Sequence, residues 1–281
     1  MQADLLFCSR DSTGEGATWL PGSGRFVWVD IDRGILHEYR PEVNQVKDHA
    51  FPDVITAVFP SVTDAHEVWI AMRNRLISYH LETNAVRDLM TIFPSSPEFR
   101  TNDGKRSPEG RIWIGVMHIK DYQGTGSLYC VEKDFSSRKV LSEQCIPNGI
   151  VWNQTGDKMY YADSGKGCIY SFDYDMQKGT IHSQQTVIRS PEKYGVPDGM
   201  TMDKEGFLRV AHWGGFGVYI WNPVTGVLED IVKVPVPHVA SCAFGGENRD
   251  TLYITTARSG LSKEELEKYP LSGNLFSTKI N

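Results

Sequence analysis

The sequence has little of several features that define large classes of proteins. It carries 29 Lys and Arg against 35 Asp and Glu, a formal net charge of -6, so it lacks the basic excess that holds nucleic-acid phosphates. It contains no apolar run near the ~18 residues of a membrane helix, and residues 1–4 lack the basic start of a secretion signal. We therefore expect neither nucleic acid nor a membrane as a partner, and a cytoplasmic location.

Cysteine is also scarce in the patterns that would matter. The five cysteines are an odd number and include no Cys-x-x-Cys pair, which argues against a disulfide framework and against a thiolate zinc site. We expect mostly buried thiols. The hydrophobic share of 40% supports a globular core, and 26 Gly and 14 Pro are scattered without marking a linker. One turn-rich domain over residues 1–281 is the expectation.

What the sequence does contain is a repeat. Short aromatic or β-branched runs come in pairs separated by turn residues, and one large apolar residue anchors the first run of each pair. Six units of roughly 45 residues, each holding several strands, match the blade length of a β-propeller. The sequence predicts an all-β, six-bladed β-propeller. The anchors are Trp28, Trp69, Trp113, Tyr160, Leu208 and Tyr253.

Two segments stand outside the regular pattern. Ser262 and Glu265 have the spacing of a helix capping box, and Pro270 ends the helix that they predict. The apolar run at residues 4–8 precedes the first full pair. We expect that run to join the last blade as a strand and so to close the ring and protect the sheet edges.

Polar residues recur at one position of the repeat. Asn102, Asn148 and Asp198 each stand eight positions before a glycine that precedes the next strand. Glu15 occupies the same place with a slightly longer turn, and Ser241 is the weaker counterpart in the last unit. Because the innermost strand of every blade lines the channel, these side chains are expected to meet at one mouth of the channel.

Such a meeting has a chemical consequence. The carboxylates of Glu15 and Asp198 would repel each other in a poorly hydrated site unless a cation or proton joined them. With the amide oxygen of Asn148 they form an all-oxygen set, which favours one calcium, magnesium or manganese ion, although zinc also accepts carboxylates. The alternative is that Asn and Asp before Gly only form turns.

These residues lie in motifs that resemble the gluconolactonase, regucalcin and senescence-marker-protein family of six-bladed propellers, over nearly the whole chain. The resemblance implies that Glu15, Asn148 and Asp198 hold one divalent metal ion. It also implies that Arg100 and Asn102 contact the substrate or a water on the metal. The motifs include Gly14-Glu15-Gly16-x-x-Trp19, Arg100-x-Asn102-Asp103-Gly104-Lys105, Asn148-Gly149-Ile150 and Pro197-Asp198-Gly199-Met200.

The activity that the resemblance implies is hydrolysis of a sugar lactone to the aldonic acid. In this chemistry the metal polarises the lactone carbonyl while water attacks, and Asp198 assists removal of the proton from that water. Arg100 can donate two hydrogen bonds to sugar hydroxyls or to the departing carboxylate. Asp103 and Lys105 could simply form a turn, and Lys105 is not a catalytic candidate.

Three further residues bear on the substrate. Lys120 stands where well-studied animal relatives carry an acidic substrate contact, which would invert the local charge and indicates a more acidic or differently hydroxylated lactone. His118 and His212 each follow an inferred blade strand, so they are candidate substrate contacts and proton carriers. The loop at residues 119–126 is expected to overhang the channel and to tune specificity.

Two other functions remain open at this point. One is an esterase or phosphotriesterase of the wider propeller group, and the other is a regulator that binds a metal or a sugar acid without turnover. A pure interaction scaffold fits less well, because it has no need for convergent carboxylates. The sugar, the physiological metal and the oligomeric state are not specified by the sequence.

Overall fold

A computed structural model of the chain describes residues 1–120 and 123–280. Within these ranges, 24 strands form six four-stranded antiparallel sheets. The innermost strand of each sheet contacts the innermost strands of its two neighbours, so that the six sheets close into a ring around a channel. This arrangement confirms the predicted six-bladed β-propeller.

The first three blades each use four consecutive strands, numbered from the channel outward. Blade 1 holds β2 (Gly14–Leu20), β3 (Arg25–Asp30), β4 (Ile35–Arg40) and β5 (Gln45–Ala50). Blade 2 holds β6 (Ile55–Pro60), β7 (Glu67–Met72), β8 (Arg75–His80) and β9 (Val86–Thr91). Blade 3 holds β10 (Phe99–Arg106), β11 (Ile112–His118), β12 (Gly126–Val131) and β13 (Ser137–Gln144).

Blades 4 and 5 repeat this order, and blade 6 departs from it. Blade 4 holds β14 (Pro147–Trp152), β15 (Lys158–Asp163), β16 (Cys168–Asp175) and β17 (Thr180–Arg189). Blade 5 holds β18 (Val196–Met202), β19 (Leu208–Trp213), β20 (Gly217–Trp221) and β21 (Leu228–Lys233). Blade 6 holds β22 (Val239–Gly245), β23 (Thr251–Thr256), β24 (Leu275–Lys279) and, on its outer edge, β1 (Asp4–Phe7).

Blade 6 therefore joins two distant parts of the chain. β1 pairs antiparallel with β24, with Asp4 opposite Ser277, which confirms the predicted closure. The short helix α1 (Lys263–Lys268) lies between β23 and β24 and begins at Ser262, which forms both bonds of a capping box with Glu265. The predicted insertion in the last blade is thus present. Among the described residues, no helix has the length and apolar character needed to cross a bilayer.

The core lies between neighbouring blades, where the apolar faces of their sheets pack together. Val29 of blade 1 and Ile70 of blade 2, for example, belong to one buried cluster and are both 0% exposed. Two of the tryptophan anchors, Trp28 and Trp113, are fully buried. All five cysteines are free thiols, and four of them are buried, which fits the prediction of mostly buried thiols.

The innermost strands share an irregularity that positions the candidate site. In β2, β10, β14 and β18 two residues stand opposite one residue of the neighbouring strand, which is a β-bulge. The bulged pairs are residues 16–17, 102–103, 148–149 and 198–199. β6 and β22 carry a single extra residue at the same depth, Thr56 and Ala240. Because a bulge redirects side chains, it brings these positions to the channel.

Candidate metal centre

Four polar side chains that the repeat singled out are buried where the bulges occur. Asn102, Asn148 and Asp198 lie in bulges and Glu15 stands directly before one. Each is between 4% and 6% exposed. The carboxyl groups of Glu15 and Asp198 are close enough to hydrogen-bond to each other. Residues from blades 1 and 5 therefore meet in the channel.

This meeting perturbs both acids strongly. Burial raises the pKa of Glu15 from 4.5 to about 8, and the nearby charge of Asp103 adds to the rise. Burial, followed by the charges of Glu15 and Asp103, raises the pKa of Asp198 well above its ordinary range. The Gly16 N–H, 3.2 Å from Glu15 Oε2, opposes the shift only in part. Without a cation, this group of carboxyls retains protons at neutral pH.

Two oxygen atoms in the centre have no hydrogen-bond partner among the described residues. Within residues 1–120 and 123–280, Asn148 Oδ1 and Asp198 Oδ1 are buried and accept no hydrogen bond. A buried acceptor left without a donor costs about 1–3 kcal/mol. Together with the Glu15 carboxylate, these oxygens have the chemistry that hard divalent cations prefer, so the residues present fit the predicted metal ion.

The candidate metal ligands Glu15 and Asp198 need the amide of Asn148 as a third member. In the part of the chain that the structure describes, no group of three or more His, Cys, Asp or Glu side chains is placed to hold a metal. Two carboxylates alone give little selectivity or geometry, so the amide oxygen of Asn148 would be the third ligand. A set of two carboxylates and one amide supplies only oxygen, which favours calcium, magnesium or manganese over softer metals.

A series of hydrogen bonds links blades 3, 4 and 5 around the centre. Asn102 Nδ2 donates to the Pro147 carbonyl at 2.8 Å, and Asn148 Nδ2 donates to Ser164 Oγ at 3.0 Å. Ser164 Oγ in turn donates to the Pro197 carbonyl at 2.6 Å. The series reaches the main chain just before Asn148 and just before Asp198, so blade 3 helps to position Asn148 of blade 4 and blade 4 helps to position Asp198 of blade 5.

The glycine after each of these site residues allows the innermost strands to approach closely. A Cβ atom on Gly149 would lie 2.4 Å from the Asp198 carbonyl oxygen, and one on Gly199 would lie 2.5 Å from Ser241 Oγ. Neither distance is compatible with a real side chain. The Asn-Gly and Asp-Gly pairs are therefore required by packing between blades, in addition to any turn preference.

Arg100 lies beside the carboxyl group of Glu15. Its Nη1 donates to the Thr101 carbonyl at 2.9 Å and to Asn102 Oδ1 at 2.6 Å, and its charge lowers the pKa of Glu15. Asn102 thus uses its oxygen toward Arg100 and its nitrogen toward Pro147. These bonds assign Asn102 a positioning role, while substrate contacts by Arg100 and Asn102 stay a prediction.

His118 and Lys120 lie at the end of β11. His118 is 6% exposed, packs edge-on against Phe99, and accepts the Lys120 N–H at Nδ1 over 3.1 Å. The Lys120 side chain is exposed. The predicted overhanging loop at 119–126 includes residues 121 and 122, which lie outside the described residues, so this prediction and the substrate contacts of His118 and Lys120 stay untested.

His212 requires a correction. The ring is 0% exposed, its Nδ1 bonds to the Tyr194 carbonyl at 2.9 Å, and its Nε2 accepts from Trp221 Nε1 at 3.2 Å. Burial lowers its pKa to about 4, and the ring stacks on Tyr219 at 4.0 Å. Both nitrogens are occupied inside blade 5, so the expected substrate contact has no atom to make it.

Sequence reasoning missed two residues of the centre. Asp103, interpreted as part of a turn, shares the bulge of Asn102, and its charge acts on both Glu15 and Asp198. A signal was available, because Gly104 follows Asp103 just as glycine follows Asn148 and Asp198. Ser164 follows β15 and gave no signal in the sequence, since its bonds are made across blades.

Known proteins are similar to this chain over nearly its whole length. The family model described as "SMP-30/Gluconolactonase/LRE-like region" matches residues 13–258. A Bacillus subtilis (strain 168) protein provisionally named as the sugar lactone lactonase YvrE is 33% identical over 280 residues, which is 100% of this chain and 95% of that protein. Regucalcin of Oryctolagus cuniculus is 31% identical over 268 residues, 94% of this chain and 89% of its own length.

Solved structures show the same architecture. A calcium-binding protein, regucalcin, from Agrobacterium tumefaciens str. C58 superposes with a TM-score of 0.91 at 27% identity, covering 100% of this chain and 94% of that one. A luciferin-regenerating enzyme superposes with a TM-score of 0.90 at 29% identity, covering 95% and 91%. The chain belongs to the SMP-30/gluconolactonase/LRE-like family.

Proposed function

We propose that this protein hydrolyses a sugar lactone to the corresponding aldonic acid and needs one divalent cation held by Glu15, Asn148 and Asp198. The observation that carries the proposal is the buried Glu15–Asp198 pair, in which Asp198 Oδ1, like Asn148 Oδ1, has no donor among the described residues. A sheet does not need such an arrangement for stability, because uncompensated buried acids and acceptors cost free energy. The names of the relatives support the lactonase class.

The residues divide the reaction among them. When bound, a divalent cation supplies Lewis acidity at the lactone carbonyl. Asp198 accepts a proton from the water that attacks the carbonyl carbon, and returns it to the ring oxygen when the ring C–O bond breaks. Arg100, which is half-buried beside Glu15, donates hydrogen bonds to substrate oxygens. The product loses a proton at neutral pH, so turnover is visible as acid release.

Substrate selection is proposed to involve Lys120 and His118 at the end of β11. Lys120 is exposed, and its ammonium group would favour a lactone that carries a carboxylate or an additional acceptor. His118 fixes the main chain at Lys120 through its Nδ1. Lys120→Glu should therefore raise KM for an acidic lactone by several-fold and leave neutral lactones less affected.

The test is acid release measured by pH-stat on glucono-, galactono-, xylono- and arabinonolactones. Metal-stripped protein is titrated with calcium, magnesium, manganese and zinc. Asp198→Ala should abolish the metal-dependent rate, a loss of at least 100-fold being typical when a general base is removed. Asp230→Ala is the matched control, because Asp230 lies exposed on the outer strand of the same blade.

Three results would redirect the assignment. Lactone hydrolysis at the buffer rate with every metal, unchanged in Asp198→Ala, contradicts a lactonase. Tight metal or sugar-acid binding without turnover favours a binding regulator, a possibility raised by the Agrobacterium relative described as a calcium-binding protein. Faster hydrolysis of aryl esters or organophosphates than of any lactone would assign the same centre to esterase or phosphotriesterase chemistry.

A further inference from the structure

A second cavity lies at the other end of the channel from the candidate metal centre. Its volume is about 290 Å³, which suits a compact molecule. Three cationic residues line it, and aromatic residues from three blades form much of its wall. The cations are Lys105, Arg106 and Arg249, and the aromatic residues are Trp19, Phe59 and Phe244.

The order of residues along the innermost strands shows that the two sites are at opposite mouths. The metal-centre residues come early in their strands, as Glu15 does in Gly14–Leu20 and Asp198 does in Val196–Met202. The cavity residues come late, as Trp19 and Thr201 do in the same two strands. Trp19 stands four positions beyond Glu15 in β2, roughly 13 Å in a regular strand at about 3.3 Å per residue, and the bulge at residues 16–17 and the nearer lining residue Ala17 shorten that separation.

The charge of Lys105 acts on the Asp103 carboxyl group and opposes the rise of its pKa, but the two side chains form no ion pair. Within residues 1–120 and 123–280, none of Lys105, Arg106 and Arg249 has a carboxylate within ion-pair distance. The chain as a whole carries a formal net charge of -6, so a cluster of unpaired positive charge is a local feature. It makes this mouth attractive to an anion in a protein that otherwise repels anions.

Arg106 also has unused hydrogen-bond donors. Its Nη1 donates to the Gly110 carbonyl at 3.0 Å and its guanidinium lies 4.4 Å from the centre of the Trp69 ring. In the described part of the chain, its Nε and Nη2 are buried and have no acceptor. Burial lowers the pKa of Arg106 to about 10, with no acid opposing the effect. A guanidinium that is held in place and has no acid beside it attracts an oxyanion.

We propose that this cavity binds a small oxyanion, a phosphate or carboxylate group on a compact organic body. Arg106 supplies a guanidinium held in place by Gly110 and Trp69, Lys105 and Arg249 add charge from β10 and from the loop before β23, and Trp19, Phe59 and Phe244 cover the apolar part of the ligand. The two sites use different residues, although the charge of Lys105 also acts on Asp103, and anion binding in the cavity does not require the proposed lactonase activity.

The experiment is a calorimetric titration of the metal-loaded protein with inorganic phosphate and, separately, with malonate, at constant ionic strength. The test variant is Arg249→Glu. The matched control is Arg10→Glu, because both arginines are exposed and have similar positive φ angles, 53° and 54°, while Arg10 does not line the cavity. An anion bound to the metal at the other mouth would be unaffected by Arg249→Glu.

The proposal requires saturable binding of at least one probe, weakened at least tenfold by Arg249→Glu and less than twofold by Arg10→Glu. Binding of phosphate alone assigns a phosphorylated ligand, and binding of malonate alone assigns a carboxylate. Arg106→Met should abolish binding without lowering the urea midpoint, because it removes a buried unpaired charge. Absence of saturable binding, or equal effects of both charge reversals, would overturn the proposal.

Discussion

The side-chain nitrogen of Asn148 donates a 3.0 Å hydrogen bond to the hydroxyl of Ser164. This bond decides which end of the amide faces the channel, because the nitrogen is held toward Ser164 and the oxygen is left for the metal centre. The same hydroxyl donates to the Pro197 carbonyl, directly before Asp198. One serine thus sets the orientation of one candidate ligand and the position of a second.

Removing that hydroxyl should weaken metal binding while the fold persists. Ser164→Ala leaves the Asn148 amide free to rotate, and loss of a partner that orients a ligand typically lowers metal affinity by about 10–100-fold. Isothermal titration with calcium and manganese measures the effect. Ser171→Ala is the control, since Ser171 is a buried serine in the same blade, and equal affinities for both variants would refute the positioning role.

Metal affinity should depend steeply on pH. Glu15, with its pKa raised to about 8, and Asp198, with its pKa raised well above its ordinary range, hold protons that a cation must displace. Affinity should rise by roughly tenfold per pH unit for each proton released, up to about pH 8. Competition with a chromophoric chelator between pH 6 and 9 gives the slope, which should fall by about one proton in Glu15→Gln.

The same shift predicts the stability of the chelator-treated protein. The folded pKa of Glu15 lies above its ordinary value of 4.5, so the folded state prefers the protonated acid. The contribution of Glu15 to stability is therefore greatest below pH 4.5 and is lost as the pH rises through about 8. Added metal should restore stability most at pH 8. An effect of metal on stability that is constant across this pH range would show that the raised pKa of Glu15 does not link metal binding to stability.

Gly149 should tolerate no side chain. A methyl group there would meet the main chain of Asp198 at 2.4 Å, and overpacking of this kind costs about 1–3 kcal/mol. Gly149→Ala should therefore lower the urea midpoint and also weaken metal binding. Gly24→Ala is the control, because Gly24 has a φ of 66° but open space around it; it should lose stability without losing metal affinity.

His212 should matter for stability and not for turnover. His212→Leu leaves the Trp221 N–H and the Tyr194 carbonyl, its two partners, without hydrogen bonds, at about 1–3 kcal/mol for each buried group. We expect a lower melting temperature with kcat/KM of the folded protein within about threefold of the parent. A large loss of kcat in a variant that remains folded would show that His212 acts on the substrate.

His37 should stabilise the protein at neutral pH and lose that effect in base. Burial alone would lower its pKa, but Asp11 at 2.9 Å and Asp48 at 2.7 Å raise it from 6.5 to about 9. The stabilisation is complete below pH 6.5 and is lost as the pH rises through about 9. It amounts to about 2 kcal/mol, because Asp48 is exposed and its attraction is screened.

Urea unfolding at pH 6 and pH 9.5 measures this difference. His37→Gln should flatten the change in the free energy of unfolding between the two pH values. His182→Gln, at an exposed position on the outer strand of blade 4, should leave it as in the parent. Identical pH profiles for His37→Gln and the parent would show that the Asp11–His37–Asp48 contact is not a charged one.

The fold was predictable because each blade has a strand that is apolar on both faces. The anchors Trp28 and Trp113 lie in β3 and β11, the second strands of their blades, and both are fully buried. Such strands give a strong signal in the sequence. The outermost strands do not, because residues such as those of Gln45–Ala50 are mostly exposed and their polar sequence does not distinguish a strand from a loop.

Residues of the centre could be predicted where they share one position of the repeat. The orientation of a histidine ring or of a serine hydroxyl could not be predicted. Glu15, Asn148 and Asp198 follow from register alone. The orientation of His212 depends on a pocket formed by Tyr194 and Trp221, which lie 18 and 9 residues away from it in the chain. No local sequence pattern encodes the orientation of the His212 ring, because packing between strands determines it.

Each of the six innermost strands carries a bulge or an extra residue at the same depth of the channel. Charged or amide side chains stand within the bulges of blades 3, 4 and 5, Glu15 stands directly before the bulge of blade 1, and Thr56 and Ala240 are the extra residues of blades 2 and 6. Exchanging the residue at one of these positions would change the side chains around the candidate metal centre without altering a strand or a loop. The chemistry of this architecture can therefore change one blade at a time, with Thr56→Glu as the smallest step that adds a carboxyl group from blade 2.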